Sequence, residues 1–133
     1  MRNKGMTAFV VTVGLLLTSG DFLSGHHSRG GYYATRDKQI TLRGTVKDFR
    51  FTNPHAFFRV DVPDAAGKVT TWTIELGSPG NLLASNRGWS STVLKPGDKI
   101  TVTTLPAVDG RPSALDAVIE FEDGRKISDG LPQ

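Results

Sequence analysis

Three histidines and no cysteine set the chemistry open to this chain of 133 residues. A thiolate nucleophile, a disulfide framework and a Cys-based zinc site are excluded, so any metal must be held by imidazole, carboxylate or the amino terminus. The histidines fall in two places: His26 and His27 are adjacent, and His55 lies in residues 51–62, FTNPHAFFRVDV. If a leader is removed between Gly25 and His26, the new amino group and the His26 imidazole can chelate one ion, and His55 can add a third nitrogen. Three nitrogens in a tetragonal arrangement suit Cu(II), the tightest binder in the usual order of divalent ions. His27 is an alternative or additional ligand, and Glu75 is placed to orient the His55 imidazole from outside the ligand set. The metal set is therefore His26, His27 and His55, with copper as the cofactor it would suit.

A plainer account stands beside this one. A histidine after Asn-Pro can cap a strand end by hydrogen bonding, and a His-His pair at a chain start can simply be solvated. Phe57 and Arg59 share one strand face with His55 and, with Glu75, make up the ligand-binding candidates. Trp72 and Trp89 can stack on a ligand, but the parity of Trp72 assigns it to the core. For catalysis, the serines lack a neighbouring His/Asp pattern, there is no phosphate-cradling glycine loop and no carboxylate pair stands out. The balance is against an enzyme; a copper redox site is the one enzymatic chemistry left, and it needs the same ligands.

The elements that must position these residues begin after a leader. Arg2 and Lys4 precede an apolar run over residues 8–17, well short of the roughly 20 apolar residues a membrane span requires, which is the pattern of a secretory signal peptide. Cleavage after Gly20 or after Gly25 satisfies the small-residue rule, and the absence of cysteine excludes a lipoprotein anchor. The expected location is periplasmic or secreted, with no membrane span after cleavage. Loss of residues 1–25 removes Arg2, Lys4 and Asp21, so the net charge falls from +3 to +2. With no Lys/Arg run interleaved with aromatics, the sequence does not point to nucleic acid as a partner. No protein partner can be named.

Residues 26–38 read as an extended polar arm that Tyr32 and Tyr33 pin to the body, with Phe57 one surface they can cover. Residues 39–133 form the single domain. From Gln39 apolar residues alternate through Ile40, Leu42 and Val46, whereas Phe49 and Phe51 take the opposite parity, so a bulge is expected near Asp48. Asn53-Pro54 interrupts the ladder and a second strand starts at His55. Phe58, Val60 and Val62 face inward there, and Thr70, Trp72, Ile74 and Leu76 supply the inner face of a third strand. A loop over residues 63–67 would pair Val62 with Lys68, Phe58 with Trp72 and His55 with Glu75.

Ser78-Pro79 starts a short helix that Gly88 stops, and Trp89 packs under the barrel. Two more strands follow, over residues 99–105 and through the inward set Leu115, Ala117, Ile119 and Phe121, and Asp123-Gly124 turns into a small return over 125–127. This predicts a mainly β fold, a small five-stranded OB-like barrel with a short helix between strands 3 and 4.

His26-His27-Ser28, Asn53-Pro54-His55-Ala56, Gly77-Ser78-Pro79, Gly88-Trp89, Leu94-Lys95-Pro96-Gly97-Asp98 and Asp123-Gly124-Arg125, with Trp72 and Glu75, resemble a bacterial family of small exported proteins known only as a domain of unknown function. The resemblance covers nearly all of the chain after the leader and implies export and a small β-barrel. Members usually carry Ala-x-Ala before His-His-Ser and Phe after it; here Leu23-Ser24-Gly25 precedes and Arg29 follows. The expectation is an exported binding module for a metal or small ligand, with a metal-free interaction domain for a protein or oligomeric ligand as the alternative.

Overall fold

A computed structural model describes residues 31–130. It contains β1 (Ile40–Arg50), β2 (Phe57–Pro63), β3 (Val69–Glu75), α1 (Pro79–Ala84), β4 (Lys99–Pro106), β5 (Ser113–Phe121) and β6 (Lys126–Ser128), with a 3-10 turn at Arg36–Lys38. The strand order is β3-β2-β1-β4-β5-β6, and a parallel pairing of β3 with β5 closes the first five strands into a barrel. This is the OB-like barrel, with its helix between strands 3 and 4. Among the described residues, no helix is long and apolar enough to cross a membrane.

β1 makes closure possible because it serves two partners. Its first half pairs with β4 and its second half with β2, and Thr45 is shared between Lys99 and Asp61. Gly44 sits at this crossover, where a Cβ would come within 2.3 Å of the Asp61 carbonyl oxygen. Only a residue without a side chain lets the two strands approach so closely. The register of β1 on β2 then slips between Val46 and Asp48. That bulge, expected near Asp48 from parity, lets Phe49 and Phe51 pack against the core.

The interior is apolar. Phe58, Val60, Ile74, Val102 and Ile119 are fully buried, each contributing about 1.5–3 kcal/mol by transfer from water. Trp89 follows α1 and lies buried, its ring 6.4 Å from that of Phe49, and its Nε1–H donates to the Ser128 carbonyl at 2.8 Å. Ser78 caps α1 by accepting from the Asn81 N–H, and the helix ends at Ala84, before the Gly88 stop expected from sequence.

Three positional expectations change. The β2–β3 turn begins at Asp64 rather than Pro63, because the Asp64 carboxylate accepts from the Ala66 and Lys68 N–H groups, both at 2.9 Å. Pro63 therefore pairs with Val69, Phe58 with Ile74 and Val60 with Trp72, and the parity of both faces survives. The β2 ladder starts at Phe57 rather than His55. Leu115 points outward, not inward: Asp116 adopts φ 56°, the register of β4 on β5 shifts between Thr104 and Leu105, and the alternation reverses there. Leu115 and Leu105 form a small outer cluster under Tyr33 and Val118.

Candidate functional site

The outer faces of β2 and β3 carry Phe57, Arg59, Thr73 and Glu75, and His55 lies two positions before β2. Glu75 lies opposite Phe57 in the ladder, not opposite His55. His55 is its diagonal neighbour, held there by the Ala56 N–H donating to the Gly77 carbonyl and the Leu76 N–H donating to the Ala56 carbonyl. Diagonal positions on one face lie within reach of long side chains. His55 Nδ1 stands 2.7 Å from Glu75 Oε1, with both side chains partly open to solvent. The contact expected from sequence thus forms through a different register.

The carboxylate engages Nδ1, so Nε2 is the ring nitrogen outside that contact. Around the pair lies an open pocket of about 330 Å³ lined by Pro54, His55, Phe57, Thr73, Glu75 and Ser113. Phe57 and Pro54 give it apolar walls, and His55 and Glu75 its polar end. Ser113 enters because β5 runs beside β3 with Ser113 opposite Thr73. Sequence reasoning missed Ser113, since a parallel contact between strands so far apart leaves no local signal.

Arg59 has another commitment. Its Nε donates to both Asp48 carboxylate oxygens, at 2.9 and 3.0 Å, and its terminal nitrogen also contacts Asp48. The arginine bonded to Asp48 holds that carboxyl below the usual carboxylate range. Arg59 is thus bound across to β1, on the far side of β2 from Glu75, and does not line the pocket.

Tyr33 bridges Ala107 and packs on the outer cluster of Leu105 and Leu115. Leu115 is the ladder partner of Glu75, so the arm is fastened to the barrel face that bears the His55 pocket. Tyr33 pins the arm there rather than on Phe57, while Tyr32 is exposed. Among the described residues no group of three or more His, Asp or Glu could hold a metal. His26 and His27 lie outside the described residues, as do both candidate cleavage points.

No curated protein and no solved structure matches the chain. A family model does match, over residues 15–116, a span that takes in the arm, the His55 pocket and β1 to β4; the chain belongs to that family, a family of unknown function (DUF6152).

Proposed function

We propose that this protein is an exported binding module whose ligand site is the His55–Glu75 pocket, and that the ligand is a divalent metal such as copper held by His55 with His26 and His27. The observation that carries the reading is the 2.7 Å contact between His55 Nδ1 and Glu75. A carboxylate on one ring nitrogen fixes the tautomer and orientation of the imidazole and raises the basicity of the other, which is how metal-binding histidines are commonly supported. The site also lies on the strand 2–3 face flanked by the strand 1–2 loop, the face OB barrels use for ligands; this support is analogy at the level of fold.

The arm carries the remaining ligands. His27 precedes Tyr33 by six positions, a length that spans about 20 Å when extended. Tyr33 pairs antiparallel to Ala107, just beyond the end of β4.

The test is Cu(II) titration of the protein purified after export under its own leader, with its N-terminal mass. The expected result is a start at His26 and binding at least about tenfold tighter than in His55→Ala. Equal affinity in the two proteins overturns the metal reading, and a start at Asp21 removes the amine chelate. The apolar walls from Phe57 and Pro54 favour a second reading, a metal-free interaction face for a protein or oligomeric ligand.

A further inference from the structure

Two of the sequence motifs play no part in the His55 pocket, and the fold brings them together. Leu94-Lys95-Pro96-Gly97-Asp98 precedes β4 and Asp123-Gly124-Arg125 joins β5 to β6, and both line one open groove of about 640 Å³. Turn chemistry accounts for part of each motif. Asp98 accepts from the Lys95 N–H at 2.8 Å, Asp123 accepts from the Arg125 N–H at 2.9 Å, and Gly97 and Gly124 take φ 95° and 82°. It does not account for the cationic head of Lys95, and it engages that of Arg125 only weakly, through an Nε 3.8 Å from Asp123 Oδ2.

Arg125 is set in place rather than loose: its guanidinium carbon lies 3.9 Å from the centre of the Phe121 ring. A stacked guanidinium keeps its plane and can still offer in-plane donors to a ligand. Lys99 and Glu122 line the same groove, as do the hydroxyl residues Ser90 and Thr92. Cationic donors and carboxylate acceptors therefore stand side by side, and Lys95, Lys99 and Arg125 balance Asp98, Glu122 and Asp123 in formal charge.

That balance selects the ligand class. A simple anion or cation would meet as many repelling as attracting groups. A polyol suits both sets, because each of its hydroxyls donates one hydrogen bond and accepts others. We propose that this groove binds an uncharged oligosaccharide through Lys95, Arg125 and the neighbouring carboxylates, independently of the His55 pocket.

The experiment follows backbone amide NMR shifts of the exported protein on titration with chitohexaose and with maltohexaose, and with a sulfated heparin hexasaccharide as the charged arm. At least one neutral hexasaccharide should shift the amides of residues 88–99 and 121–125, with a dissociation constant on the order of 1 mM or tighter. Lys95→Ala and Arg125→Ala should each weaken that binding about tenfold. If Arg125→Ala disturbs the turn, the exposed Lys95 carries the test alone. No groove shifts with about 10 mM of either neutral sugar, at least tenfold above the expected constant, overturn the proposal. So do binding of the sulfated sugar alone, shifts confined to the His55 pocket, or unchanged affinity in Lys95→Ala.

Discussion

Asp129 reaches across the fold to Gly77: its Oδ2 accepts the Gly77 N–H at 2.7 Å. Gly77 follows Glu75 by two positions, and Asp129 comes directly after β6, so the last strand is tied to the segment that presents the His55–Glu75 pair. A hydrogen bond to a charged acceptor contributes about 1.5–3 kcal/mol. Asp129→Ala is expected to lower unfolding free energy by about that amount, and Asp129→Asn, which keeps an acceptor, by less. Urea denaturation of the three proteins checks the order.

Gly44 offers a steric prediction. A methyl group there would sit 2.3 Å from the Asp61 carbonyl oxygen and 2.9 Å from Val60 Cγ2. The oxygen belongs to backbone and cannot swing aside, so Gly44→Ala must separate β1 from β2. The expected cost is about 3 kcal/mol or more, at the upper end of overpacking effects. Thermal unfolding measures it, and a variant as stable as the parent would contradict the crossover at this residue.

Thr104 holds the point where β5 reverses its alternation. It is fully buried, and its hydroxyl lies 2.6 Å from the Asp116 carbonyl oxygen and 3.1 Å from that of Leu115. Thr104→Val keeps the volume but removes the donor. A loss of about 1–3 kcal/mol is expected in denaturant unfolding, with Thr104→Ser closer to the parent because it retains the hydroxyl.

Asp48 and Arg59 predict a pH dependence. The folded-state pKa of Asp48 lies below its ordinary value because Arg59 hydrogen-bonds to the carboxylate. The contribution to stability is therefore complete above the ordinary carboxylate range and disappears as pH falls through the lowered folded value. Asp48→Asn should be the less stable protein at pH 7, with the gap narrowing below about pH 4 and closing at lower pH. Thermal melts at a series of pH values test the sign. Both side chains are partly exposed, so salt should shrink the gap at pH 7.

Glu75 separates the two readings of the His55 pocket. If the carboxylate supports a metal-binding imidazole, Glu75→Ala weakens Cu(II) binding about 10- to 100-fold, while Glu75→Gln, still able to accept from Nδ1, weakens it less. Calorimetric titration shows the split. Equal Cu(II) affinity in all three proteins would leave the pair a surface contact between strands.

Much of this architecture was legible in order along the chain. Two-residue alternation through Leu42, Val46, Phe58, Val60, Ile74, Val102 and Ile119 marks the inner face, since successive strand side chains point to opposite sides. The parity change at Phe49 announced the bulge, and Ser78-Pro79 announced the helix, because both are properties of neighbouring residues. What tertiary structure alone decided depends on residues far apart in the chain. Asp116 can take the left-handed conformation that turns Leu115 outward because buried Thr104 on β4 holds its carbonyl. Asp48 claims Arg59 because the bulge sets them side by side, which takes that arginine out of the pocket. His55 meets Glu75 along a diagonal whose register the Asp64 turn selects, and Ser113 joins them because the barrel closes β5 onto β3. Alternation is a local property of the backbone, whereas pairing between distant strands is settled by how the whole barrel packs and closes.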